Sequence, residues 1–253
     1  MPGNRVVPRE RDVSVCRDVP MLGGMEQLPI VERFIAAHFP RAGIAVVAGS
    51  TARGTRTRTS DIDLLLIGDD IFETDAASFA GGFEFEGGFF EVFAYTVDGY
   101  GEWAARGVAQ FRPVIVHMLV EGIEVRGGTA LQELRHRWER VLVDGPRPTA
   151  HELEFRRYMI TDQLDDLRDA QDPLERRVIA GLLFERTAEL MLLGAGHWIG
   201  AGKYLPRRLC ELSVDRTEAL AAPLLQGDFD EFATQVEREL DAAGGRVQAG
   251  FVR

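Results

Sequence analysis

The stretch GSTARGTRTRTSDIDLLLI, Gly49 to Ile67, decides the fold and the candidate site. A Gly-Ser pair follows the short apolar run IAVVA, and ten mostly polar residues come after it. Asp61 and Asp63 then stand on either side of Ile62, at the start of a run of four apolar residues. Because residues i and i+2 of a strand point to the same face, the two carboxylates project together from a strand that the apolar run predicts to be buried.

The two aspartates are a costly pair to place on a buried strand. Their carboxylates repel each other unless a cation lies between them. Mg²⁺ would relieve this repulsion, because it prefers hard oxygen ligands and is commonly completed by substrate phosphates. Gly49 lets the backbone approach a phosphate closely, and the hydroxyl of Ser50 adds a donor. The linker is basic and contains no acid: Arg53, Arg56 and Arg58. The alternative is a pair of exposed aspartates that cap a turn.

The patterns along the chain predict an α+β fold with two domains. The first contains a helix at 25–39, two strands around the opening stretch, a hairpin at 83–96, and helices at 98–121 and 128–143 around a short strand. After the Pro/Gly-rich residues 144–149 nearly everything is helical, with predicted helices at 150–171, 173–195, 214–225 and 228–242. We therefore expect a small mixed-sheet domain at 25–145 and an all-α bundle at 146–253, after an extension at 1–24 that we expect to be mobile.

Composition restricts the partners and the compartment. The net charge of −11 disfavours nucleic acid, because non-specific binding to phosphates needs many Lys and Arg contacts, and it favours cationic partners. No apolar run approaches the roughly 20 residues that span a bilayer, and the first residues lack the apolar core of a secretory signal. Two cysteines, Cys16 and Cys210, do not make a disulfide framework. We therefore expect a cytoplasmic protein without a membrane partner.

The opening stretch resembles the nucleotidyltransferase superfamily typified by DNA polymerase beta and kanamycin nucleotidyltransferase. That family has an apolar residue, Gly and Gly or Ser, a variable spacer, and two acids separated by one apolar residue. The matching positions are Ala48, Gly49, Ser50, Asp61, Ile62, Asp63 and Leu64. The resemblance implies that Asp61 and Asp63 hold Mg²⁺ and that Gly49, Ser50 and Arg53 bind the nucleotide. It further implies that a hydroxyl attacks the α-phosphate of a nucleoside triphosphate and releases pyrophosphate.

The family adds a third carboxylate on a following strand. Glu91, in FFEVFAYT, resembles the acid of the LEV strand in streptomycin-type adenylyltransferases, where it would complete the metal site or act as general base. Glu84 and Glu86 compete for this role, but we expect them at a solvent-facing edge of the hairpin. A glutamate at this position points to the antibiotic-modifying branch, and hence to AMP transfer from ATP.

The helical half also resembles its counterpart in small-molecule nucleotidyltransferases, most closely at residues 189–209. A basic residue there would contact the triphosphate, and Lys203 occupies that position as the single lysine beside 28 arginines. The alternative is an exposed lysine at a helix start. Asp162, Asp165 and Asp166 share one helix face with Asp169, and they would suit an acceptor with amino groups, such as an aminoglycoside. The alternative is a solvated surface.

The sequence thus predicts a Mg²⁺-dependent nucleotidyltransferase that moves AMP from ATP onto a hydroxyl of a small, cationic molecule, consistent with antibiotic resistance. One alternative is an enzyme of the same family that modifies a protein or RNA. Another is a non-catalytic, antitoxin-like binding module of the same fold. The latter predicts loss of an acid or of the Gly-Ser pair, and neither is lost.

Overall fold

A computed structural model describes residues 16, 28–52, 54 and 60–252 of the chain. It divides into two compact units, and the boundary between them falls between Arg147 and Pro148. Cys16 belongs with the second unit. The extension that we expected to be mobile, 1–24, lies outside the described residues apart from Cys16.

The first unit is built on a five-stranded sheet. Its strands are β1 (Ile44–Val47), β2 (Ile62–Ile67), β3 (Ser78–Phe85), β4 (Gly88–Tyr95) and β5 (Ile123–Arg126). They lie in the order β3-β4-β2-β1-β5. The pair β2–β4 is parallel and the other three pairs are antiparallel, so the sheet is mixed. The predicted α+β class is confirmed.

Helices cover both faces of this sheet. They are α1 (Leu28–His38), α2 (Gly49–Ala52), α3 (Val97–Ala109), α4 (Val114–Glu121) and α5 (Gly128–Asp144). Alternation along β2 divides the core in two, since Ile62 and Leu64 pack with Phe34 of α1, whereas Leu65 packs with Trp138 of α5. The sheet is therefore a central layer with an apolar cluster on each side.

The continuous helix predicted at 98–121 is wrong in its middle. The chain leaves the helical conformation at 110–113, where Phe111 has a φ of +60°. Proline disfavours the α conformation at the residue before it, here Arg112, and lacks the N–H that a helix interior requires. Pro113 therefore opposes a continuous helix through this segment, and it occupies the position just before α4.

The second unit consists of helices among its described residues. They are α6 (Ala150–Asp169), α7 (Pro173–Gly194), α8 (Tyr204–Leu212), α9 (Val214–Gln226) and α10 (Phe229–Ala242). Their starts follow from capping side chains: Thr149 accepts from the N–H of Glu152, and Asp172 accepts from the first turn of α7. Across the described part of the chain, no helix is both long and apolar enough to span a membrane.

The two cysteines are paired, which corrects the expectation drawn from their number. Cys16 and Cys210 of α8 form a disulfide with their Cα atoms 5.8 Å apart, within the usual range. Disulfides persist mainly in oxidising compartments. The cytoplasmic expectation therefore loses the support that it drew from the cysteines.

Candidate active site

Three neighbouring strands of the first unit bring the predicted site residues together. Gly49 follows β1, Asp63 lies on β2 and Glu91 lies on β4, and these strands are adjacent in the order β4-β2-β1. Asp63 and Glu91 are direct partners in the parallel register. The N–H of Ala48 donates to the carbonyl oxygen of Asp63 at 2.8 Å, which extends the β1–β2 ladder to the site.

The carboxylates of Asp63 and Glu91 lie on the same face of the sheet, because register partners point the same way. Further along the same face, Leu65 and Phe93 lie beneath the cluster formed with α3, α4 and α5. Asp63 is half-buried and Glu91 is exposed. The two acids thus stand where the helical cover of this face ends and solvent begins.

Gly49 is required by two features of this site. Its φ is +63°, in the left-handed region that favours glycine. A Cβ built on Gly49 would lie 1.6 Å from Oδ2 of Asp63 and 2.6 Å from its Cγ. The Asp63 carboxylate therefore occupies the space that a side chain at position 49 would need.

The residues after Gly49 turn the chain away from β1. Ser50 and Thr51 are buried, and Oγ1 of Thr51 lies 3.5 Å from the carbonyl oxygen of Asp61, at the limit of a hydrogen bond. Asp61 is exposed and immediately precedes β2, two residues from Asp63. The predicted nucleotide ligand Arg53, with Arg56 and Arg58, lies outside the described residues.

The donor chemistry of this edge suits a hard divalent cation. Asp63 and Glu91 offer carboxylate oxygens on adjacent strands, and Asp61 immediately precedes β2. Among residues 28–52, 54 and 60–252, no three His, Cys, Asp or Glu side chains are grouped closely enough to hold a metal ion by themselves. Mg²⁺ is usually bound by one or two carboxylates together with substrate phosphates, and this pair fits that mode.

The competing acids of the hairpin are at the sheet edge, as predicted. Glu84 is exposed on β3, the edge strand. Glu86 lies in the turn before β4, where Nη2 of Arg33 donates to it at 2.5 Å. This hydrogen bond, with the charge of Arg33, holds the pKa of Glu86 below its ordinary value. Glu91, as the register partner of Asp63, is placed better than either for a shared site.

Lys203 lies in the second unit as the exposed residue just before α8. Its Nζ is 5.6 Å from the centroid of the Tyr204 ring, and the guanidinium of Arg207 is 5.3 Å from the same ring. Both cations thus lie near the same aromatic side chain. The contact of Lys203 with a triphosphate stays a prediction.

One of the three predicted acceptor-binding acids is already engaged. Nη2 of Arg246 donates to both carboxylate oxygens of Asp165 at 2.5 Å, and Nε2 of Gln248 donates to Oδ2 at 3.0 Å. Asp162 and Asp166 are exposed on the same helix, α6. The segment after α10 therefore supplies a cation to the acidic face for which we predicted an external one.

Two residues near the carboxylates were missed by the sequence reasoning. Thr51 is 1% exposed between the Gly-Ser pair and the linker, and nothing in the local pattern marks it. Phe89 is 44% exposed on β4, two residues before Glu91 and therefore on the same face. The signal for Phe89 was available, because the alternation that exposes Glu91 also exposes position 89.

Comparison with known proteins bears on this unit. Residues 29–99, which include β1 to β4 with Gly49, Asp61, Asp63 and Glu91, match the family model described as a nucleotidyltransferase domain. No curated protein gave a match. A nucleotidyltransferase-like protein from Exiguobacterium sibiricum is similar over 87% of this chain and 74% of its own, with 14% identity and a TM-score of 0.47, too weak to support an argument. The family match places a nucleotidyltransferase domain in residues 29–99 and confirms the prediction of a transferase, and such a domain implies a nucleoside triphosphate as substrate.

Proposed function

We propose that the protein transfers a nucleoside monophosphate, AMP from ATP, onto a hydroxyl of a small cationic molecule in a Mg²⁺-dependent reaction. The observation that carries this proposal is the position of Asp63, whose carboxylate lies against Gly49 on one side while its register partner Glu91 lies on the other. This arrangement provides two adjacent acids beside a glycine whose missing side chain leaves room for the Asp63 carboxylate.

The acids would hold the ion together with the substrate. Asp63 and Asp61 would be its ligands, with Glu91 as a third ligand or as the base. When bound, Mg²⁺ neutralises phosphate charge and lowers the pKa of the attacking hydroxyl. Because Gly49 has no side chain, the Asp63 carboxylate can take this position beside the residues proposed to bind the triphosphate.

Groups of the protein would accept the proton of the acceptor hydroxyl and bind the triphosphate. Glu91 is exposed, so its carboxylate can accept the proton of an acceptor hydroxyl that approaches from solvent. Gly49 and Ser50 would bind the triphosphate through the backbone and a hydroxyl, with Arg53 and Lys203 as cationic ligands. The leaving group is pyrophosphate.

The net negative charge of the chain supports a cationic acceptor. The chain carries 40 acidic and 29 basic residues. Asp162 and Asp166 are exposed on α6, whereas the carboxylate of Asp165 is bound by Arg246. We therefore propose Asp162 and Asp166 as acceptor ligands ahead of Asp165, and an aminoglycoside-like antibiotic as the class to test first.

The test is release of pyrophosphate in the presence of Mg²⁺, each of the four nucleoside triphosphates and a panel of kanamycin, streptomycin and spectinomycin. Acceptor-dependent release with ATP, absent in Asp63→Asn, supports the proposal. Triphosphate binding without release in any mixture, including mixtures with total RNA or a cell protein extract, would point instead to the non-catalytic binding module. Release only with RNA or protein would identify the macromolecular branch.

A further inference from the structure

The face of the sheet that carries Asp63 and Glu91 also carries an exposed aromatic ring. Phe89 is 44% exposed, and it makes no ring-to-ring contact with any aromatic side chain among the described residues. Single exposed apolar side chains are common on protein surfaces, so the interest of Phe89 lies in its position beside Glu91. Phe89 and Glu91 are two residues apart on β4, so the ring and the carboxylate are neighbours on one face of the sheet.

A glycine on the adjacent strand makes room for this ring. Gly82 of β3 is the register partner of Glu91, and Glu84 is the partner of Phe89. A Cβ on Gly82 would lie 2.6 Å from Cζ of Phe89, so the ring extends over the glycine backbone. The ring thus lies next to Glu91, at the place where a side chain at position 82 would otherwise stand.

Acidic side chains lie around the Phe89 ring. Glu84 is exposed, stands directly across from Phe89, and makes no ion pair with a described residue. Glu91 is next along the strand on the same face, and Asp63 follows on β2. An aromatic face attracts a cation, and the neighbouring carboxylates add to that attraction.

We propose that Phe89 and Glu84 form the acceptor subsite of this enzyme, and that it takes a protonated amine of the acceptor, which lies over the Phe89 ring and near Glu84. The inference rests on the proposed nucleotidyl transfer, since it places the acceptor hydroxyl beside Glu91. It adds the residues that select the acceptor, whereas Asp63 and Glu91 act on the reacting atoms.

The hairpin contains a matched control on its other face. Phe79 is 39% exposed and covers Gly81 in the same way, with Cζ 2.6 Å from a Cβ built on that glycine. Phe79 belongs to the face covered by α1, where it contacts the rings of Phe39 and Phe83. If Phe89 had only the structural task of covering a glycine, Phe79→Ala would cost at least as much stability as Phe89→Ala, and neither would change acceptor use.

The experiment measures binding by calorimetry and turnover by pyrophosphate release, with kanamycin, streptomycin and spectinomycin as probes and N-acetylated kanamycin as the uncharged counterpart. Phe89→Ala should weaken binding of the amine-bearing probes and raise the acceptor KM by roughly three- to thirtyfold, the effect of one cation–π contact. The kcat and the KM for ATP should stay within about twofold. The contact with Phe89 is expected to be equally strong in the ground state and the transition state, so its loss weakens acceptor binding without slowing the chemical step. Phe79→Ala should change neither the acceptor KM nor probe binding.

Charge selection is tested separately. Glu84→Gln should reduce the preference for kanamycin over its N-acetylated form, whereas Glu86→Gln, which removes the partner of Arg33, should leave it unchanged. Gly82→Ala should act like Phe89→Ala, because its Cβ displaces the ring, and Gly81→Ala is its control.

The outcomes separate this inference from the proposed function. Equal acceptor KM and equal probe affinity in Phe89→Ala and Phe79→Ala would overturn the subsite and leave nucleotidyl transfer standing. Failure of the wild-type protein to bind any amine-bearing probe would also overturn it. Binding that depends on Phe89 without any pyrophosphate release would support the subsite and refute the transfer activity.

Discussion

The carboxylate of Asp63 occupies the space in which a side chain at position 49 would begin. Oδ2 of Asp63 is 1.6 Å from the Cβ that any other residue would place on Gly49. The two residues are 14 positions apart in sequence, and the antiparallel β1–β2 pair brings them together. Gly49 therefore serves the neighbouring acid, because its missing side chain leaves this space to the carboxylate.

Gly49→Ala should reduce both stability and turnover. The positive φ alone costs roughly 1–2 kcal/mol for a residue with a Cβ, and the clash moves the Asp63 carboxylate in addition. Gly87→Ala is the matched control, because Gly87 also has a positive φ, of +78°, but has nothing within 4 Å of a built Cβ. Chemical denaturation should show a similar backbone cost in both, and only Gly49→Ala should lose pyrophosphate release. Wild-type turnover in Gly49→Ala would contradict the close packing.

Asp63→Asn and Asp61→Asn should each lower kcat by roughly 10²- to 10³-fold, because each weakens a ligand of the Mg²⁺ that would neutralise charge on the transferring phosphate. Both side chains reach solvent, so the melting temperature without ligand should stay within about 2 °C of wild type. Steady-state kinetics and a thermal melt check the two halves of this prediction. Turnover within a few-fold of wild type in either variant would remove that residue from the metal site.

ATP should stabilise the protein only when a divalent ion is present. Ligand at a hundredfold excess over its Kd raises the free energy of unfolding by about 2.7 kcal/mol. Addition of EDTA should abolish this shift if the carboxylates bind the triphosphate through Mg²⁺. The control is Asp63→Asn, in which the shift should be reduced even with Mg²⁺. An equal shift with and without EDTA would show that the ion is not needed for binding.

Lys203→Ala should weaken ATP binding or turnover with little effect on the melting temperature, since Lys203 is exposed. Lys203→Arg should not restore the wild-type value, because a planar guanidinium places its charge differently from a compact ammonium. Arg207→Ala is the control, as it removes a cation from the same Tyr204 ring. Wild-type kinetics in Lys203→Ala would refute the proposed contact with the triphosphate.

The core beneath the site should make the protein sensitive to alkaline pH. Burial raises the pKa of Tyr100, and the charge of nearby Tyr95 raises it further. Below about pH 10 the phenol is protonated in both states and has no effect; above it the unfolded chain loses the proton and the folded chain does not. Stability should therefore fall above pH 10 and fall less steeply in Tyr100→Phe. Parallel stability curves for the two proteins would show that the phenol ionises freely in the fold.

Much of the fold could be predicted because its signals are local. The apolar run of β2, the hairpin around Gly87 and the capped starts of α6 and α7 are encoded within a few residues. A common face of Asp61 and Asp63 was predicted from strand periodicity, but β2 begins at Ile62, so that relationship stays a prediction. The start of β3 at Ser78 was hidden by Gly81 and Gly82, since glycine is depleted in strands.

The assembly of the site could not be predicted from these local signals. That Glu91 lies beside Asp63 depends on the parallel pairing of β2 with β4, and periodicity carries no information on which strands pair. The choice of Glu91 came from resemblance to a family. The contact of Gly49 with Asp63 depends likewise on the pairing of distant segments, and so does the Cys16–Cys210 disulfide, whose cysteines are 194 positions apart.

That disulfide has a consequence for how the chain carries a mechanical load. A force that pulls on a residue before Cys16 and on a residue after Cys210 would pass directly through the disulfide. The unit that carries the sheet lies between the two cysteines in sequence, so it would bear none of this force. In the oxidised protein, 194 residue spacings, a contour of roughly 640–700 Å, would be withheld from extension. Reduction would release that length and put Asp63, Glu91 and the whole sheet into the path of the force.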